Sequence, residues 1–195
     1  FFFNSEIIDI KKYKNKLTLT NIKGKKFDFD YVVFANHTNE ASNILKKECE
    51  QLAHSLNGFK YQKNLAYLHF DQTLMPKNKL LWSSWNYSTN SEKNIACITY
   101  WMNKLQRLNT KKNIFVTLNP INIPEENKII KVFKYEHPVF DQNAFKVQKI
   151  ISDSQGIKNI YFSGSWNGYG FHEDGVVSGL KVAKLLEAKL DWITE

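Results

Sequence analysis

Asn159-Ile160-Tyr161-Phe162-Ser163-Gly164-Ser165-Trp166-Asn167-Gly168-Tyr169-Gly170-Phe171-His172-Glu173-Asp174-Gly175 is the stretch on which the fold turns. A short apolar run enters a loop that holds half of the chain's eight glycines. Beyond it Val176, Val177, Leu180, Ala183 and Leu185 recur at helical spacing. The pattern predicts a buried strand, a Gly-rich loop and an amphipathic helix from Gly175 to about Leu190, with Asp174 as its N-cap. Gly175 and Gly179 leave one side of the first turn bare, so a backbone or a flat ligand can approach it. Free N–H groups and the positive end of a helix dipole suit phosphate or another electron-rich group. The glycines fall as GxGxxxxG (Gly168, Gly170, Gly175), too long for the dinucleotide fingerprint GxGxxG. A purely structural turn explains the loop equally well, whereas the crowding of Trp166, Tyr169 and Phe171 favours a planar ligand.

Working outward, Glu6–Ile10, Lys16–Thr20 and Tyr31–Ala35 read as strands, the last apolar enough to be covered on both faces. Residues 40–56 read as one helix with Ala41, Ile44, Leu45 and Leu52 on its apolar side. Strand patterns follow at 65–70, 80–87, 95–101, 114–118 and 129–133, with Pro76, Pro120 and Pro124 in the joining loops. A helix at 143–151 comes after a turn at His137-Pro138. The order predicts mixed α and β, an antiparallel middle between two apolar parallel strands, and three segments: 1–56, 57–155 and 156–195.

Composition narrows the classes. With 43% hydrophobic and 24% charged residues among 195, the chain is globular rather than disordered or fibrous. No apolar run reaches the roughly 20 residues of a membrane span. Cys49 and Cys97 stand far apart without a CxxC, which excludes a disulfide framework and a Cys-rich zinc site and fits a reducing cytoplasm. The net charge of +8 comes from lysines scattered singly or in pairs, with no nucleic-acid module beside them, so no nucleic-acid partner is expected. The same charge allows peripheral contact with the inner membrane face. Phe1-Phe2-Phe3 is neither an initiator Met nor a signal peptide, and the expectation is a piece of a longer or processed chain.

The run Gly164-Ser165-Trp166-Asn167-Gly168-Tyr169-Gly170-Phe171-His172-Glu173-Asp174-Gly175-Val176-Val177-Ser178-Gly179 resembles the carboxyl-terminal flavin motif of a bacterial group. These are FAD-dependent, amine-oxidase-like NAD/FAD-binding proteins associated with cyclopropane-type fatty-acid modification. Further stretches are similar in the same order: Phe29-Asp30-Tyr31-Val32-Val33-Phe34-Ala35-Asn36-His37, His69-Phe70-Asp71, Leu74-Met75-Pro76, Trp82-Ser83-Ser84-Trp85-Asn86-Tyr87, Thr99-Tyr100-Trp101-Met102-Asn103-Lys104-Leu105-Gln106 and Phe115-Val116-Thr117-Leu118-Asn119-Pro120. The family's opening strand and GxGxxG turn have no counterpart here, so the likeness is to a carboxyl-terminal half. It implies an α+β / α/β fold: a mixed-sheet substrate domain at 57–155, and at 156–195 the closing strand–loop–helix of a Rossmann-like FAD domain.

The resemblance also implies roles. Backbone N–H groups of Glu173, Asp174, Gly175 and Val176 would face the flavin ring and stabilise charge that builds on reduction. Gly164 and Ser165 would lie by the ribityl chain, although many relatives carry an acid where Ser165 stands. Trp166, Gly168, Tyr169, Gly170, Phe171 and His172 complete the FAD-binding set, with Ile7 at the adenine end. No catalytic base is named. His172-Glu173-Asp174 is not read as a metal site, because consecutive residues rarely converge on one ion and no HExxH is present. His69 and Asp71, two apart on one strand face, make either a structural hydrogen bond or an acid–base pair. Trp82, Trp85, Tyr87, Tyr100 and Trp101 make either a sheet core or an aromatic wall, so His69, Trp85, Tyr100 and Trp101 are candidates for a substrate pocket. The implied reaction is hydride transfer between an apolar or lipid-linked substrate and flavin, inactive without the missing amino-terminal half. The alternative is a non-catalytic fragment or a partner-dependent subunit.

Overall fold

The structure, a computed structural model, describes residues 1–90 and 95–188. By its contacts the chain forms two units: Phe1–Lys60 together with the chain from Pro138 onward, and Tyr61–His137. Among the described residues no helix is long and apolar enough to cross a membrane.

The first unit opens with an antiparallel meander of β1 (Ile7–Tyr13), β2 (Lys16–Asn21) and β3 (Lys26–Phe29), the last unread in the sequence. Register pairs Ile10 with Leu19 and Lys12 with Leu17, and Ile10 and Leu17 are fully buried. The β2–β3 turn is held by the Asn21 carboxamide, whose oxygen accepts from Lys23 N–H and Lys25 N–H. Next comes β4 (Val32–Phe34), which pairs in parallel with β10 (Ile160–Phe162), as the two apolar runs predict. This two-stranded ladder is the whole parallel sheet among the described residues.

Where one helix is expected over 40–56 there are two, α1 (Thr38–Leu45) and α2 (Glu50–Leu56). Backbone N–H groups of both Glu48 and Cys49 turn back to Leu45 C=O and close α1. Glu48 is also drawn out of helical line: its carboxylate accepts from Lys12 N–H and Lys158 Nζ, and its carbonyl accepts from Lys158 Nζ. α4 (Gln142–Asp153) starts at Asp141, whose carboxylate accepts from Asn143 and Ala144 N–H. Ala144, Val147 and Ile151 form its buried stripe, and α4 packs on α2 within this unit. The sequence reading instead groups 138–155 with the central sheet.

The second unit is a five-stranded sheet in the order β6-β7-β8-β5-β9. Its strands are β5 (Lys60–His69), β6 (Trp85–Asn90), β7 (Ile95–Trp101), β8 (Phe115–Leu118) and β9 (Ile129–Val139), with a short α3 (Met102–Leu105) after β7. The pairs β5–β8, β6–β7 and β7–β8 are antiparallel, as expected for this middle segment. Two boundaries differ from expectation. Residues 79–81 form a 3-10 turn, because Asn78 caps Leu80 N–H, and the strand starts only at Trp85. β9 also runs through His137-Pro138 rather than turning there, which its place at the sheet edge permits.

Asp71 anchors the start of β9 to the end of β5. Its carboxylate is buried and accepts from Thr73 N–H, Thr73 Oγ1 and Glu125 N–H, with Lys128 Nζ at 3.5 Å. Burial pushes its pKa up, but these donors and the Lys128 charge outweigh burial and hold it at about 2. A carboxyl depressed below its ordinary 3.8 stabilises the fold above that value, and the contribution is lost as pH falls toward 2. Asp71→Asn should therefore cost about 2 kcal/mol near neutral pH and flatten the acid limb of urea-unfolding midpoints plotted against pH. An unchanged acid limb would show that this carboxylate is not the holder.

Candidate functional site

The Gly-rich loop is built on β10. Gly164 N–H donates to Ser178 Oγ at 2.9 Å, and the same hydroxyl donates to Gly175 C=O, so one buried serine ties the loop to the helix that follows. The indole of Trp166 is buried, stacks edge-on against Phe59, and donates from Nε1 to Asn36 C=O at 3.1 Å. A Cβ on Gly164 would lie 2.6 Å from that Nε1, so glycine is required for the indole to sit there. From α4, Gln148 Nε2 donates to Trp166 C=O and Gly168 C=O at 2.8 and 2.7 Å. Tyr169 and Phe171, in contrast, are mostly exposed at 67% and 64%.

The helix α5 (His172–Leu185) begins three residues before the predicted start, so Asp174 is not the N-cap. It lies inside the first turn, and its carboxylate reaches back to accept from Phe171 N–H at 2.9 Å and Tyr169 N–H at 3.0 Å. That reach needs Gly168, since a Cβ there would overlap the carboxylate. A Cβ on Gly175 would stand 3.8 Å from Ser165 N, and one on Gly179 would stand 3.7 Å from Ser163 Oγ. The bare side of α5 is therefore met by the chain's own loop at ordinary contact distance. Only Ser178 and Val182 of α5 are buried; Val176, Val177 and Leu185 are exposed. Leu190, the predicted helix end, lies outside the described residues.

Two clefts flank this loop in the first unit. One, about 690 Å3, lies between α4 and α5 and is lined by Gln148, Gln155, Gly168, Asp174, Val177 and Lys181. The other, about 580 Å3, brings Ile7 together with the end of β4, lined by Val33, Ala35, Asn36, Glu40 and Ile44. Asn36 joins the two halves of the predicted set: its carbonyl holds Trp166 of the loop, and the residue is part of the lining of the Ile7 cleft. Its Oδ1 is buried without a hydrogen-bond partner, an acceptor that a ligand donor would satisfy.

The second unit divides the remaining candidates into two pairs. Direct pairing sets Trp85 opposite Tyr100, while Trp101 and His69 each pair with Phe115, so the aromatic set divides between the two sheet faces. Trp85 is 57% exposed and stacks edge-on against Tyr100. Trp101 packs on Trp82, which with Phe115 and Met75 forms a buried cluster. His69 is fully buried, with Nε2 at 2.8 Å from Thr117 Oγ1 and Nδ1 accepting from Asp71 N–H. Burial pushes its pKa down, against the pull of the Asp71 charge. The Asp71 carboxylate is directed to Thr73, Glu125 and Lys128, and the hydrogen bond linking the pair is a backbone one.

Sequence reasoning missed Gln148, Gln155, Ser178 and Asn36. Gln148 follows the buried Val147 on α4, and a glutamine beside that apolar stripe is the available signal. Gln155 closes the outer edge of β10: its Nε2 donates to Phe162 C=O and its Oε1 accepts from Phe162 N–H, both at 2.9 Å.

No family model matches the chain, and no curated protein sequence matches it. Solved structures do. The CLA-producing fatty acid isomerase of P. acnes superimposes with a TM-score of 0.63 at 12% identity, over 93% of this chain and 47% of its own. Putrescine oxidase bound to putrescine superimposes with a TM-score of 0.65 at 12% identity, over 96% of this chain and 49% of its own. The chain shares the mixed α/β fold of these structures and spans about half the length of those it matches.

Gly168→Ala should expel the Asp174 carboxylate and strand two loop N–H groups, lowering stability by about 1–3 kcal/mol in urea unfolding. Gly179→Ala, with ordinary space for its methyl group, should leave the midpoint within about 0.5 kcal/mol. Equal effects would show that the Asp174 hold contributes nothing.

Proposed function

We propose that this chain is the carboxyl-terminal portion of an FAD-dependent oxidoreductase that moves a hydride between an apolar, lipid-like substrate and flavin. The observation that carries the reading is the meeting at Asn36: one residue closes the Gly-rich loop through Trp166, lines the cleft that holds Ile7, and keeps a buried, unpaired side-chain oxygen. The residues present fit the two ends of FAD. At one end Ile7 and Asn36 would receive the adenine–ribose part, with Asn36 Oδ1 as acceptor. At the other, Gly164–Gly170 and the first N–H groups of α5 would line the ribityl chain and ring, where the helix dipole favours added negative charge. When bound, FAD supplies the electron acceptor, and the chain's own contribution is to position and polarise it. Similarity to an amine oxidase and to a fatty acid isomerase supports the class, and the isomerase supports an apolar substrate.

The sequence holds no pyrophosphate cradle, and the missing amino-terminal half is the proposed partner that provides it. β10 is closed on its outer edge by Gln155, whereas β4 pairs with β10 alone among the described residues. A further parallel strand therefore has one edge to join, that of β4. Alone, the chain is proposed to be inactive.

Expressed with its upstream half, the protein should be yellow and release FAD on denaturation. Gly175→Leu, whose side chain overruns the 3.8 Å gap to Ser165, should lose most of that flavin, while Gly175→Ala keeps it. A colourless full-length protein, or a Leu variant loaded like the wild type, would sink the placement.

A further inference from the structure

At one end of the second unit's sheet, two loops lie side by side. Residues 71–84 lead into β6 and residues 102–114 link β7 to β8. They are joined where Trp101 N–H donates to Ser84 C=O at 3.0 Å and where the Trp82 and Trp101 rings meet at 5.3 Å. Segments 72–84 and 102–114 contain Lys77, Lys79, Lys104, Arg107, Lys111 and Lys112, all exposed, and no Asp or Glu. Among the described residues the carboxylates nearest in sequence are accounted for at the β5–β9 side: Asp71 is buried under its donors, and Glu125 pairs with Lys128 at 2.8 Å, which leaves Glu126; Glu92 lies outside the described residues.

The same loops expose leucines. Leu80 is 92% exposed and Leu81 67%, with Leu105 and Leu108 also exposed. Leu80 and Leu81 are held in position. Asn78 Oδ1 accepts from Leu80 N–H, Leu81 N–H donates to Asn78 C=O, and Trp82 N–H donates to Lys79 C=O. The Trp82 indole is buried beneath, its Nε1 donating to Pro76 C=O at 2.8 Å. A hydrogen-bonded turn that presents two bare leucines next to Lys77 and Lys79 leaves apolar surface in water for no internal gain. Two Lys side chains already lie over aromatic rings, Lys79 on Trp82 and Lys112 on Phe70. In both it is the ammonium that sits on the ring, Lys112 Nζ at 3.6 Å from the Phe70 centroid and Lys79 Nζ at 5.7 Å from that of Trp82.

We propose that this end of the second unit docks on an anionic lipid surface, with Leu80 and Leu81 entering the headgroup–acyl boundary and the six cations resting on the headgroups. Nucleic acid would use the cations alone and would leave the leucines in water, which is why lipid is favoured. The docking involves no residue of the flavin reading and holds whether or not FAD is bound.

The test is flotation of the purified chain with vesicles of phosphatidylcholine alone, or of equimolar phosphatidylcholine and phosphatidylglycerol. Binding is expected only to the second, weakening as salt is raised. Leu80→Ser with Leu81→Ser keeps every charge and should weaken binding at least about tenfold, with an unchanged circular dichroism spectrum. Lys77→Gln with Lys111→Gln should weaken it about fivefold per lysine removed. Equal binding to both vesicles, or a serine pair that binds like the wild type, would overturn the proposal. So would capture of an RNA oligonucleotide that displaces the vesicles and ignores the serine pair.

Discussion

The three-residue parallel ladder between Val32–Phe34 and Ile160–Phe162 is the contact on which the first unit depends. It joins parts of the chain separated by the whole second unit, so its formation closes a long loop before any local reward is gained. A ladder this short cannot meet that cost through its own hydrogen bonds. Side chains on both sides of it do the rest. Phe34 and Phe162 stack at 5.6 Å, Ser163 N–H extends the ladder to Phe34 C=O, and Asn159 Nδ2 donates to Asp30 C=O. Lys158 holds Glu48, and Trp166 holds Asn36. Lys158 and Asn159 both adopt left-handed backbone, at φ of 56° and 66°, a local cost accepted where their side chains are anchored.

The two edges of this ladder are treated differently. A glutamine amide is the shape of a peptide group, and Gln155 satisfies Phe162 as a neighbouring strand would, while Gly156 N–H satisfies Ile160 C=O. An edge capped in this way does not invite another chain. Val33, at the centre of β4, keeps a 42% exposed side chain next to the buried Val32 and Phe34. On α5 the same asymmetry recurs, with Val176 and Val177 in water and Ser178 buried. Apolar residues outside and a serine inside invert the usual order, and the inversion sits on the helix whose spacing looked most plainly amphipathic.

That helix shows what a sequence can and cannot carry. The strand–loop–helix, the parallel pairing of the two apolar runs and the antiparallel middle were legible, because each rests on local periodicity and on glycine placement. The start of α5 was not. Asp174 has the composition of a cap, but Gly168 opens space for its carboxylate to reach back over the loop, and only the three-dimensional path reveals that. The break at Lys46–Cys49 was equally hidden, since Glu48 is pulled from helical line by Lys158, a residue far away in sequence. Gln148 and Gln155 read as ordinary solvated helix positions, and their roles exist only once the loop and β10 lie beside them.

In the second unit the buried face of the sheet carries a polar row beside the Phe115 cluster, where an apolar core alone would be simpler. His69 Nε2 meets Thr117 Oγ1, Thr117 Oγ1 meets Thr99 Oγ1 at 2.9 Å, and Asn86 Nδ2 donates to Thr99 C=O. This chain crosses β5, β8, β7 and β6 in turn. A one-residue slip of any strand would turn its member to the other face and leave its partners buried and unpaired, at about 1–3 kcal/mol each. An apolar face would resist a one-residue slip too, but it would tolerate a slip of two residues better, because hydrophobic contact has no direction. The row of hydroxyls thus fixes register across four strands, and register in turn fixes which end carries the turn at Leu80 and the loop at Leu105. A neutral His69 suits that role: burial holds its pKa down, so the ring keeps one donor and one acceptor, as Thr117 and Asp71 N–H require.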